Sequence, residues 1–404
     1  MKNIIIILLI SISFISFSQV ITKEDSLNAG LTPKNSPTVL SGYGQAKVEY
    51  NVREKTGVAN LTRNVLFFGH RFNEKISFFS ELELENAKVT GSNPEGEISM
   101  EQLFLKFNIN RNHYVTAGLI IPRIGIINEN HMPTTFHSND RPLVETLIIP
   151  STWRELGIGL YGFSYKVPGL NYSCAILNGL NSAGFKPGSG IREGRYEGSN
   201  ASASNLAITG ALLYYIHSFR IQASTYIGGS AGYNKRMADS LQLNYGAFGT
   251  PIMLNEFNIQ YFSKGFEFKA LASYLSIPDA ARINRAFANN TSKAMLGAYG
   301  EIGYNILNLF KEPKKRLTAF VRYEYLDMNY ELATNGVNDN FMKQQYITTG
   351  LHFQPSGGVS VKLNYVWRQT GNFNPALYTV NPFVSTVPFY TTNSFVNLGI
   401  GYSF

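Results

Sequence analysis

Ser394-Phe395-Val396-Asn397-Leu398-Gly399-Ile400-Gly401-Tyr402-Ser403-Phe404 closes the chain, and from Val396 onward every second residue is apolar. Asn397, Gly399, Gly401 and Ser403 fill the places between them. Successive side chains of a strand point to opposite faces, so this pattern predicts a strand with one oily face that runs to the last residue. A single strand decides little, and its partners must be sought upstream.

The same period recurs from Val39 onward. It predicts strands over 39–51, 59–70, 75–86, 97–109, 113–121, 153–164, 169–178, 205–217, 219–228, 252–262, 265–276, 294–307, 315–327, 343–354, 358–369 and 393–404. The connections alternate in length. Tight turns at Arg71–Glu74, Arg111-Asn112, Lys166–Pro168, Ser218, Ser263-Lys264, Lys311–Lys314 and Pro355–Gly357 interleave with long segments. The long ones are 122–152, 179–204, 229–251, 277–293, 328–342 and 370–392. An even strand number with this parity predicts an all-β, up-and-down antiparallel barrel that crosses a membrane, with short periplasmic turns and long extracellular loops. A soluble sandwich has no reason to keep such parity.

Composition agrees. Aromatic residues are 13% of the 404, with Tyr (24) and Phe (28) far above Trp (2), and charged residues only 15%. The opening Met1-Lys2-Asn3 and the apolar run Ile4–Phe17 precede a small-x-small site at Ser16-Phe17-Ser18. That run is short of the ~20 residues of a membrane helix, so residues 1–18 read as a secretory signal. A polar leader (19–37) and the barrel (38–404) follow. The lone Cys174 has no partner for an internal disulfide. The net charge of +8 is spread without a basic run, which speaks against nucleic acid as a partner.

Alternation also assigns faces. The parity opposite the oily one carries Lys47, Glu49, Glu81, Glu83, Lys106, Arg220, Glu256, Lys269, Glu301, Arg322, Glu324, Lys362 and Arg368, which are the expected pore-lining residues. Charges confined to one parity predict a wet interior, since an unpaired charge in an apolar core is prohibitively costly. Lys47, Arg322, Lys362 and Arg368 suggest a basic sector, and Glu81 and Glu83 an acidic one. Separated sectors would set a transverse field; equally, inward ion pairs could satisfy one another.

The segment 122–152 combines Arg123, Glu129, His131, His137, Asp140, Arg141 and Glu145 with Ile126, Ile127, Leu143, Leu147, Ile148 and Ile149. So much apolar content predicts a loop that folds into the barrel and constricts it. An extracellular lid packed on other loops is the alternative. The six histidines are scattered, with no nucleophile or metal spacing, so neither an enzyme, a metal site nor a cofactor is expected.

Glu101-Gln102-Leu103-Phe104-Leu105-Lys106-Phe107, then Val115 to Pro122, a long loop, and Trp153-Arg154-Glu155-Leu156-Gly157-Ile158-Gly159-Leu160-Tyr161-Gly162 form one recognisable block. Its layout resembles porins of the phosphate-selective O and P type, in a Bacteroidetes-like form. The resemblance implies an integral, usually homotrimeric, passive channel of sixteen strands in the bacterial outer membrane. Its surroundings would be outer-membrane lipid and lipopolysaccharide, and the terminal Phe404 looks like the signal read by the barrel assembly machinery. Phosphate-selective members use an arginine ladder and loop lysines, whereas this loop carries Arg123 and Arg141 and no lysine. The expected function is passive diffusion of small hydrophilic solutes or ions with a weak anion preference. The alternatives are a channel specific for phosphate, oligoanions or sugars, and a structural or adhesin barrel.

Overall fold

Sixteen antiparallel strands realise the alternation in a computed structural model that describes residues 37–88, 96–232, 234–310, 315–374, 377 and 390–404. The expected signal, the leader as far as residue 36, the turn 311–314 and most of the connection 370–392 lie outside the described residues. The strands are β1 (Thr38–Asn51), β2 (Thr56–Arg71), β3 (Ile76–Glu85), β4 (Glu97–Asn108), β5 (His113–Ile120), β6 (Glu155–Phe163), β7 (Leu170–Asn178) and β8 (Leu206–Ile216). They continue as β9 (Phe219–Gly229), β10 (Pro251–Ser263), β11 (Phe266–Ser276), β12 (Ala294–Asn305), β13 (Arg316–Glu331), β14 (Lys343–Ser356), β15 (Val359–Thr370) and β16 (Thr392–Ser403). Each pairs with its sequence neighbours, and β1 pairs with β16, so the sheet is a closed barrel.

Closure sets Lys47 opposite Gly399 and Glu49 opposite Asn397. The ladder extends to the final residue, where the Phe404 amide donates to Gly42 at 2.9 Å and the Gly42 amide returns a bond at 3.2 Å. Among the described strands no edge stays open, which a hydrocarbon environment demands. Leu398, Ile400 and Tyr402 point outward, as do Val321 and Tyr323 on β13 and Leu363 and Tyr365 on β15. Near the turn end, Phe219, Tyr261 and Phe266 are linked ring to ring, a fragment of the aromatic girdle such barrels carry. Lys264 and Gly265 both take positive φ, the mirror-image turn that fits two residues between Ser263 and Phe266.

Two irregularities matter for the interior. Glu81 pairs with Gln102 and Leu82 with Met100, so Glu101 is an extra residue on β4, fully buried while Gln102 also reaches Glu81. A second shift, between Gln45 and Ala46, leaves Thr62 extra on β2. Strict alternation cannot foresee a bulge, which re-aims side chains by one position.

The lumen differs from the uniformly wet lining read from sequence. Leu177, Tyr226, Leu254, Leu271, Leu275, Met295 and Leu326 are buried within one apolar cluster with Ile124, Val144, Ile148, Ile149 and Trp153 of the β5–β6 loop. The inward parity is therefore polar in places and oily where the loop's own hydrophobic residues need partners.

Candidate functional site

The β5–β6 loop is the centre of the interior, and its residues meet the wall in five zones. In the apolar zone, the short helical turn Val144–Ile148 lies against β12. A methyl group placed on Gly297 would come 2.5 Å from Ile148 Cδ1 and 3.0 Å from Val144 Cγ1. Glycine at that wall position is what allows so close an approach. Beside it, Glu145 Oε2 accepts the amides of Ile126 and Ile127 at 2.6 and 2.7 Å, and Oε1 accepts the Tyr299 hydroxyl at 2.6 Å. Burial nevertheless pushes the Glu145 carboxyl up to about 7, against the pull of those donors.

The second zone is built on Glu129, whose carboxylate pairs with both Arg123 and Arg220. The Arg123 guanidinium also lies 5.0 Å from the Tyr161 ring centroid. Glu256 holds the same stretch from β10, accepting the Gly125 amide at 3.3 Å and the Ser224 hydroxyl at 2.6 Å. Lys106 caps the Tyr114 ring at 4.1 Å near this end of the loop.

The third zone gathers the acidic sector. His131 Nε2 lies 3.7 Å from Glu81 and 3.8 Å from Glu101. Glu101 accepts the Tyr43 and Thr152 hydroxyls, each at 2.6 Å. Glu83 lies 3.4 Å from Arg63 and 3.9 Å from Arg154. Arg141 donates to the His131 carbonyl at 3.3 Å, and burial and then the nearby Arg63 bring its guanidinium down to about 10, so it stays charged. The ligand atoms of Glu81, Glu101 and His131 lie within 4.8 Å of one another, a spacing a divalent cation accepts. Positive charge is already supplied here by Arg63 and Arg141, so the group reads as a buried ionic clasp between loop and wall.

The fourth zone is a histidine pair. His137 Nδ1 lies 3.2 Å from His352 Nδ1, and its Nε2 lies 3.1 Å from Glu267, which also pairs with Arg316. The fifth assembles the basic sector. Asp140 accepts Lys47 at 2.6 Å and the Asn397 amide at 3.2 Å. Lys362 donates to the Ser138 carbonyl at 2.9 Å and lies 3.9 Å from the Phe136 ring centroid. Arg322 reaches the Ser138 hydroxyl at 2.8 Å, Glu324 at 2.8 Å and Glu301 at 3.2 Å, and Lys269 lies 3.6 Å from Glu301. Asn364 accepts the Asn139 side-chain amide at 2.7 Å.

Two cavities flank these contacts. The one at the turn end has a volume of about 810 Å³ and is lined by Arg220, Lys264, Lys269, Arg316, Glu267, His137 and His352 among others. The second, about 250 Å³, is lined by Lys47, Glu49, Asp140, Arg141, Arg322, Glu324 and Arg368. All thirteen wall residues expected inside are on the inner face, and all seven loop residues lie within the barrel. Sequence reasoning left Tyr43, Arg63, Glu101, Arg154 and Arg316 out of the site. Glu101 was hidden by its bulge, whereas Tyr43 and Arg63 share the inward parity of β1 and β2 and were legible.

No family model matches the chain. An uncharacterized protein of Aquifex aeolicus (strain VF5) is 28% identical over 340 residues, covering 81% of this chain and 74% of its own length. Among solved structures, an anion-selective porin from Comamonas acidovorans aligns with a TM-score of 0.53 and 10% identity over 91% of this chain and 99% of that one. Salmonella typhi OmpF in complex with daunomycin gives 0.53 and 12% over 91% and 97%. The loop L8 deletion mutant of OmpT, an outer membrane protein of Vibrio cholerae, gives 0.53 and 9% over 91% and 99%. The chain thus has the sixteen-stranded fold of outer-membrane barrels.

Proposed function

We propose that this protein is a passive outer-membrane channel for small hydrophilic solutes and ions, with a preference for anions. The observation that carries the reading is a closed barrel with water-accessible cavities on both sides of an inward loop that bears charge. A barrel that only anchored loops would need no charged cavities inside it. The sign preference follows from the cavity walls: Arg220, Lys264, Lys269 and Arg316 face Glu267 at the turn end. Lys47, Arg141, Arg322 and Arg368 face Glu49, Asp140 and Glu324 in the other cavity. Cations outnumber acids in both, and low-dielectric walls focus that field on the path. The loop serves as the constriction. The fold of the anion-selective and OmpF porins supports the general reading, and a homotrimer is the assembly we expect.

The test is reconstitution of folded protein in a planar bilayer. Stepwise conductance with a reversal potential toward chloride in a KCl gradient supports the proposal. Absence of steps refutes the channel, and a reversal potential toward potassium refutes the preference. One observation favours a second reading, a barrel closed by its own loop: the loop contacts β1, β3, β4 and β9–β16. Failure of small sugars to enter liposomes that contain the protein would select it.

A further inference from the structure

We propose that Lys47, Arg322 and Lys362 form a binding site for short dicarboxylates on the barrel wall, and that the loop's own Ser138–Asp140 segment occupies it as a displaceable stand-in. The inference rests on the channel reading and names a class of solute for it.

The first argument is what the three cations hold. Asp140 lays a carboxylate between Lys47 Nζ (2.6 Å) and the Asn397 amide (3.2 Å). Two residues earlier, the Ser138 carbonyl accepts Lys362 (2.9 Å) and the Ser138 hydroxyl accepts Arg322 (2.8 Å). The Asp140 carbonyl adds a longer bond from Arg322 at 3.4 Å. Two groups of oxygens, one of them a carboxylate, thus meet the wall at neighbouring points. A molecule with a carboxylate at each end of a short chain presents the same pair.

The second argument is Lys362. It is 1% exposed, and among the described residues no carboxylate lies within 4 Å of its ammonium. A buried cation is ordinarily matched by an anion, because desolvation is otherwise uncompensated. Here a main-chain carbonyl and the Phe136 ring face are what it meets. That is the environment of a cation whose anionic partner is a solute.

Charge gives the third argument. Around the site, Lys47, Lys269, Arg322, Lys362 and Arg368 stand with Glu49, Asp140, Glu301 and Glu324. Arg141 also lines the adjoining cavity, so withdrawal of Asp140 leaves six cations with three acids, a surplus that one dicarboxylate largely offsets. Arginine's planar fork matches a carboxylate in two-point contact, and the adjoining 250 Å³ cavity gives such a solute room to enter. Gly399 permits the stand-in: a side chain there would collide with Asn139.

The experiment compares the wild type, Asp140→Asn and Asp140→Asn/Lys362→Gln in bilayers, with succinate and acetate as blockers of chloride current. Each variant is first checked for a folded, heat-modifiable barrel. Removing the competing carboxylate should tighten succinate block at least fivefold, about 1 kcal/mol of Coulomb competition, with a much smaller change for acetate. The added Lys362→Gln should return succinate block to the wild-type level or weaker. Equal or weaker succinate block in Asp140→Asn overturns the site, and so does tight block that survives Lys362→Gln. If the wild type carries no current, the channel reading fails, and calorimetry on the folded proteins in detergent decides the site alone. Succinate heat from Asp140→Asn that disappears in the double variant supports it; no heat from Asp140→Asn overturns it.

Discussion

Replacing Ile148 by alanine should release the inward loop without opening the barrel. Ile148 is fully buried, and its Cδ1 lies over Gly297 of the wall, where no side chain competes for the space. Truncating a buried isoleucine costs about 2–5 kcal/mol, because the wall is backbone and cannot collapse into the gap. If that cost falls on docking of the loop, its open population rises tenfold for each 1.4 kcal/mol. The gain is then roughly 30-fold to a few thousand-fold. Hydrogen exchange followed by mass spectrometry reads this directly, since protected amides exchange in proportion to the open population. Amides of 126–151 should exchange faster by that factor, while the ladder amides of β12 and β13 keep their rates. A companion substitution sharpens the test. Gly297→Ala alone overpacks the same contact, at about 1–3 kcal/mol. In the Ile148→Ala background the added methyl fills vacated space, so the pair must be less than additive. A loop exchange rate within threefold of wild type, or additive effects, would refute docking through this contact.

Glu145 gives a pH prediction. Its folded-state value near 7 stands above the ordinary carboxyl value of 4.5, so its contribution to stability is complete below 4.5 and is lost as pH rises through 7. The unfolding midpoint of wild type relative to Glu145→Gln should therefore fall between pH 4.5 and 8, and a flat difference would contradict the burial argument. Ile400→Lys puts a charge on the lipid face of the closing strand and should cost about 2–4 kcal/mol in denaturant titrations of folding into vesicles. Deleting Phe404 removes the terminal pairing to Gly42 and the final aromatic. Membrane assembly should drop sharply, and normal amounts of heat-modifiable barrel in the deletion strain would count against that role.

The barrel was legible because its information is local. Alternation and turn chemistry placed β16 as 393–404 against an observed Thr392–Ser403, and β10 as 252–262 against Pro251–Ser263. β13 runs on to Glu331, past the expected 327, because β12 pairs it there through Ala294. Partners across the lumen were not legible in the same way. Parity says that Glu81, Lys362 and His137 lie inside, but which of them meet depends on the path of a loop that has no period. A bulge adds to the difficulty: Glu101 takes an inward place that strict alternation assigns to lipid.

Sequence left open whether the charged sectors face one another across water or satisfy each other as ion pairs, and the geometry divides the two cases. The acidic sector is paired: Glu81, Glu83 and Glu101 have Arg63, Arg154 and His131 beside them, held by strands and by the two ends of the loop. The basic sector is complemented by the wall only in part, with Glu49 lying 3.7 Å from Lys47. Arg322 has Glu301 and Glu324, but Lys362 has a carbonyl, and Lys47 leans on an aspartate of the loop. Neutralising one side from within leaves the other as the seat of the net positive field. The loop spans both, seated through His131 in the ionic clasp and through Ser138–Asp140 at the cations. A motion that frees Asp140 while His131 stays seated would uncover positive charge without unfolding the loop, and that asymmetry is where the proposed anion preference would arise.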